Sequence, residues 1–161
     1  MMVSLFFATV QASAATDKMV ELQARFDRES TSDGKTKLLD KLAEAQFDET
    51  RRAARAGDYS RVGLVLEKYR DDVRSAFDLL RKQHPDADHH VGRYRELEMN
   101  VRRGLREVDE DLLGAPTPYK PPIQIVRDDL SAMADELLRL LFPRRSFLHN
   151  GEQPKPPAEK K

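Results

Sequence analysis

Apolar residues recur at intervals of three and four along almost the whole chain, the period that places them on one face of an α-helix. Met19, Leu22 and Phe26 mark a short helix from about Asp17 to Glu29, with Thr16 or Asp17 as its cap. "STSDGK" breaks the pattern, with Asp-Gly as a turn signal. Leu39, Ala43, Phe47, Thr50 and Ala54 then define a second helix over about 35–56. Gly57 follows, suited to the left-handed residue after a helix end, and Asp58 stands ready to cap the next helix, so the two helices form an antiparallel hairpin.

Val62, Val65, Leu66, Tyr69, Val73, Phe77 and Leu80 form the stripe of a third helix over about 59–83, which His84-Pro85 ends. Val91, Tyr94, Leu97, Val101, Leu105, Val108 and Leu112 give a fourth over about 89–113. Gly104 lies inside it at a cost of about 1 kcal/mol against Ala, which marks a close helix contact or a bend. "GAPTPYKPP" reads as an irregular proline-rich crossover at 114–122. In it Tyr119 either anchors the segment on the bundle or displays it to a partner groove. Ile123, Val126, Leu130, Met133, Leu137, Leu140 and Leu141 give a fifth helix up to Phe142, stopped by Pro143. No alternating strand pattern competes. Helices of about 20 residues are roughly 30 Å long, which predicts an all-α, up-and-down bundle of four long helices plus a short N-terminal one.

Composition agrees with this pattern. Of 161 residues, 35% are charged and 39% apolar, with no Trp and seven Gly, a helix-favouring balance for one domain. Lys plus Arg equals Asp plus Glu at 28 each. No global field therefore attracts nucleic acid, and no exposed aromatic platform is evident for it. The absence of cysteine excludes disulfides, zinc–thiolate sites and thiol catalysis.

The N-terminus bears on location. An apolar run, Val3 to Val10, is followed by Ala12-Ser13-Ala14, the pattern cut by signal peptidase, although no Lys or Arg precedes the run. The run is too short to span a bilayer. The expected organisation is a signal peptide over 1–14, a bundle over 15–143 and a disordered tail over 144–161.

The stretch "KTKLLDKLAEAQFDETRRAARAGDYSRVGLVLEKYRDDVRSAF", 35–77, resembles the helical hairpin of a domain family of unknown function in bacterial extracytoplasmic proteins. Its "AGDYSRVGLVLEKY" portion also resembles a tetratricopeptide helix pair, without a second copy at that repeat's period. The resemblance implies a helical protein of the cell envelope and carries no functional residues with it.

Candidate chemistry is sparse. "HPDADHH" gathers His84, Asp86, His89 and His90, with side-chain types that bind Zn, Cu or Ni. Adjacent helical histidines diverge by about 100°, and the residues also suit a plain turn in which Asp86 or Asp88 caps the fourth helix. The acidic pairs Asp71-Asp72 and Asp128-Asp129 and the run Asp109-Glu110-Asp111 are expected on helix exteriors, where neighbours cannot share acid–base work. No phosphate loop or nucleophile elbow is present. Arg102, Arg103 and Arg106 form a basic stripe, read as a salt-bridged face or as a contact for an acidic partner. Because four long helices can close a core, Met19, Leu22 and Phe26 of the first helix are expected on an outer groove or paired with a second molecule, the alternative being that this helix simply packs as a fifth member of the bundle. Taken together, these residues predict a non-enzymatic interaction or scaffold protein of the envelope, without a cofactor, a membrane span or a nucleic-acid partner. A periplasmic metal-binding protein using the histidine turn is the alternative.

Overall fold

The computed structural model describes residues 7–143, with side chains from Asp17 onward. Five helices follow one another: α1 (Phe7–Arg28), α2 (Ser32–Arg55), α3 (Tyr59–Gln83), α4 (Val91–Gly114) and α5 (Lys120–Leu141). The fold is an all-α bundle. The apolar run and the Ala12-Ser13-Ala14 pattern lie outside the residues whose side chains are described, as does the tail over 144–161.

Each helix end has a local cause. Thr31 caps α2 by accepting from the Gly34 N–H at 3.2 Å. Asp33-Gly34 therefore lies within the first turn of α2, and the chain reverses over 29–31 instead of at the expected Asp-Gly turn. At the far end Gly57 adopts φ 75°. Its N–H bonds to Ala54 O at 3.0 Å and that of Asp58 to Ala53 O at 2.9 Å, the paired closure that a left-handed residue permits. The Asp58 carboxylate then accepts from the Arg61 N–H at 3.0 Å and starts α3. α4 begins without a side-chain cap, its N-cap position being taken by His90. Asp86 instead receives the N–H groups of Asp88 and His89 within the turn, so neither aspartate caps α4.

The crossover is more regular than its prolines suggested. Thr117–Tyr119 forms one turn of 3-10 helix. α5 starts at Lys120, with Pro121 and Pro122 in its first turn. There the missing proline N–H groups would have had no helical partner in any case. Tyr119 stacks 6.1 Å from the Tyr59 ring, and Tyr59 donates to Gly114 O at 3.0 Å, so the segment is anchored on the bundle.

α2, α3, α4 and α5 enclose the main core, with α2 against α3 and α4, α5 against α3 and α4, and α3 and α4 in contact across it. Tyr69, Leu66, Leu97, Val101, Ile123 and Leu130 are fully buried at its centre. Phe47 meets Tyr69 edge to face at 4.8 Å. α1 packs on α2. It is as long as the other helices, and Leu22 and Phe26 are buried in the same core. The helix is thus longer than expected and packs as a fifth member of the bundle, with the Phe26 side chain 1% exposed. The Lys35 ammonium lies 4.4 Å from its ring centre and donates to Phe26 O at 3.1 Å, closing the end of α1.

Gly104 is a contact point between helices and not a bend. A methyl group there would overlap the Tyr69 ring, and that ring cannot withdraw. Its hydroxyl donates to Asn100 O at 2.9 Å and lies 3.1 Å from Asn100 Oδ1, and burial holds its pKa far above the ordinary phenol value. Gly104→Ala gains about 1 kcal/mol of helix propensity but forces overpacking that costs about 1–3 kcal/mol. Urea unfolding should show a net loss for Gly104→Ala, and an unchanged or higher midpoint would contradict the contact.

Candidate functional site

One cluster of buried polar groups joins α1, α2 and α3. Asp72, on α3, is 1% exposed. Its carboxylate accepts from Lys68 Nζ at 2.6 Å, Gln23 Nε2 at 3.0 Å and Gln46 Nε2 at 2.9 Å. A buried carboxylate is tolerated when it is paired and hydrogen-bonded, and here the partners come from α1, α2 and α3. The expectation that Asp71-Asp72 lies wholly on a helix exterior is corrected by this burial; Asp71 itself is exposed. Gln46 is buried too, and its Oε1 has no hydrogen-bond partner.

Above this network the surface opens into a groove of about 390 Å³. α1 and α3 both flank it, yet their Cα atoms never approach within 8 Å, because both lean on α2. Met19, Val20 and Ala24 form one wall, Leu64 and Val65 the other, and Gln46 belongs to the lining. Val20 is 60% and Leu64 61% exposed, two large apolar side chains facing water across one gap. Arg61 and Lys68 border the α3 side, Gln23 and Asp27 the α1 side. Of the expected contact residues, Met19 lines this groove, whereas Leu22 and Phe26 point into the core and are committed to it.

The basic stripe is largely neutralised. Arg102 pairs with Glu98 one turn earlier. Arg103 reaches Asp40 at 3.4 Å and Glu44 at 3.5 Å, and its guanidinium lies 5.5 Å from the Phe47 ring centre. Arg106 borders a shallow cleft with Met99 and Asn100 and makes no ion pair among the described residues. Arg51 and Arg52, at the end of α2, are held by Glu107 at 2.8 Å and Glu49 at 2.9 Å.

In the turn between α3 and α4, His89 Nδ1 meets Asp86 Oδ2 at 2.6 Å, which holds the Asp86 pKa below its ordinary value. The rings of His84 and His90 lie 4.3 Å apart, but Arg93 donates to the His84 ring. Burial and the Arg93 charge lower the His84 pKa. The same guanidinium bonds Asp33 at 2.7 Å, tying the start of α4 to that of α2. His84, Asp86, His89 and His90 thus divide into two separate pairings, one of them capped by a cation. No group of three His, Asp or Glu side chains converges on one point among the described residues.

Asp111 departs from the expected exterior run. Burial pushes its carboxyl up to about 6, reinforced by Glu107 and Glu110. The nearby cation, Arg51, is engaged by both oxygens of Glu107 and by Asp48, and it forms no ion pair with Asp111 among the described residues.

Comparison with protein-family models, with curated proteins and with solved structures finds no match. The fold and the groove are therefore read on their own chemistry. No described helix is long and apolar enough to cross a membrane.

The Asp111 shift has a definite sign. A folded-state pKa above the ordinary 3.8 means that the native state binds the proton more tightly. That contribution is complete at low pH and is lost as pH rises through about 6. Asp111→Asn should raise the melting temperature relative to the parent above that pH, with the difference closing towards pH ~4. Equal melting curves on both sides of the transition would contradict the assignment.

Proposed function

We propose that this chain is a non-enzymatic protein–protein docking module of the bacterial cell envelope, working through the groove between α1 and α3. The observation that carries the reading is the exposure of Val20 and Leu64 on facing walls of a preformed apolar groove. Covering the remaining surface of each such side chain returns about 1–2 kcal/mol, and clustered exposed apolar groups mark interaction sites where single ones do not. The Asp72 carboxylate beneath the groove is engaged by three donors. Export is supported by the Val3–Val10 run and by Ala12-Ser13-Ala14, and cysteine-free composition suits it. The metal reading has less support, since a guanidinium sits on the ring of His84.

A photo-crosslinking amino acid placed at Leu64 in cells tests the assignment, with the same probe at exposed Arg95 on α4 as control. The expected result is a discrete adduct from position 64 that is absent from position 95 and is lost with Val20→Glu. Indistinguishable patterns at the two positions would overturn the reading.

A further inference from the structure

We propose that the end of the bundle where the α1–α2 turn meets the α3–α4 turn is an acid-released clasp, in which a proton on the His84 ring expels the Arg93 guanidinium and unfastens α4 from α2.

The clasp is one arginine shared between two partners. Arg93, in the first turn of α4, donates to the ring of His84 at the end of α3. Its Nε bonds the Asp33 carboxylate, in the first turn of α2, at 2.7 Å. An N–H can donate to an imidazole only where a ring nitrogen keeps its lone pair, so the contact requires a neutral His84. Imidazole is also the side chain whose charge changes nearest neutral pH. Once protonated, the ring presents a donor where Arg93 needs an acceptor, and two like charges face each other.

His84 has little room to yield. Its N–H bonds Leu80 O at 2.8 Å, and its carbonyl accepts from the Tyr94 hydroxyl at 2.8 Å. The His90 ring lies 4.3 Å from its own. Arg93, with its side chain 35% exposed, is the partner free to leave for water.

The surrounding charges set the direction. α2 brings the Asp33 carboxylate, and α4 brings Arg93 with His90 at its N-cap. Within the turn, Asp86 is taken by His89 at 2.6 Å, and Asp88 is exposed. Arg81 of α3 pairs with Glu136 of α5 at 2.7 Å, and Arg139 of α5 borders the turn beside Asp86 and Asp88. A charged His84 therefore leaves two cations for Asp33. Burial, with the charges of Arg93 and His90, accordingly holds the His84 pKa below its ordinary value. The contribution of the clasp to stability is complete above the ordinary 6.5 and is lost as pH falls through the lower folded value.

Two neighbouring contacts confine the release. A proton on His89 makes its contact with Asp86 an ion pair, so acid opens one half of the turn and tightens the other. Gln83, which holds Ser30 and Ser32, does not titrate, and it keeps the α1–α2 turn on α3. Acid thus frees the start of α4 and leaves the bundle closed.

NMR on the full-length protein reads both halves of the clasp. The His84 imidazole should titrate below 6.5. Over the same range the Arg93 Nε–H signal should lose its bonded position. The Arg93 and Tyr94 amides bond His90 O. Their exchange, corrected for intrinsic pH dependence, should rise about fivefold between pH about 7.5 and about 5, the worth of one hydrogen bond, while amides at the centre of α3 keep their protection. His84→Gln keeps an acceptor but cannot titrate, and should abolish the rise. Arg93→Gln should move the His84 titration up towards 6.5. A His84 that titrates at or above 6.5 overturns the proposal. So does an Arg93 Nε–H signal unchanged after His84 is fully protonated, or an equal rise in exchange in His84→Gln.

Discussion

The Asp72 carboxylate is the constraint on which the rest of this side of the molecule depends. It lies within the bundle with donors from three helices around it. Burying a carboxylate costs several kcal/mol unless it is compensated, so the arrangement holds only while α1, α2 and α3 keep one relative placement. Apolar packing alone is less demanding, because a stripe of Leu and Val tolerates rotation or slippage that a hydrogen-bonded charge does not. Gln23 is the residue through which α1 senses α3. Without it α1 would be fixed only to α2, through Leu22, Phe26 and the Lys35 contact.

This placement produces the groove. α1 cannot close on α3, because the Asp72 network holds the two apart at a set spacing and α2 fills the floor between them. Val20 and Leu64 are left facing each other across water, with Arg61 and Asp27 near the two ends. At the opposite pole, polar contacts rather than apolar ones fix the helix ends. Gln83 accepts from the Ser32 N–H at 2.7 Å and donates to Ser30 O at 2.7 Å, and Tyr94 donates to His84 O at 2.8 Å. The rigid pole and the buried carboxylate together keep the groove preformed, which reduces the ordering cost of docking.

Much of the fold was legible in the sequence for local reasons. The Gly57-Asp58 turn was readable because one residue must take a left-handed conformation and the next must cap, and few residue types do either. The extent of α3 followed from its stripe and from Pro85. Pro121 and Pro122 misled, since the same residues that break a helix interior also suit a first turn, and only the neighbouring packing decides which applies. The site was less legible. Asp72 occupies a position in the rhythm Val65, Tyr69, Asp72, Ala76, and Gln46 does the same in Leu39, Ala43, Gln46, Thr50, Ala53. A polar residue on the apolar face was the available signal, and pairing Asp72 with Asp71 as an exterior acidic patch concealed it. Val20 and Leu64 carry no sequence signal of their own, because their exposure follows from how far apart α1 and α3 stand. The histidine turn drew attention through composition, yet its side chains are apportioned to Asp86 and Arg93 by geometry that spacing does not encode.

Hydrogen exchange on Asp72→Asn tests the central claim most directly. The substitution keeps size and shape, removes the charge and turns a donor towards groups that themselves donate. If Asp72 holds α1 in register, amides of α1 from Met19 to Arg28 should lose protection while those of α4 and α5 keep theirs. Unchanged protection in α1, or an equal loss in every helix, would contradict the account.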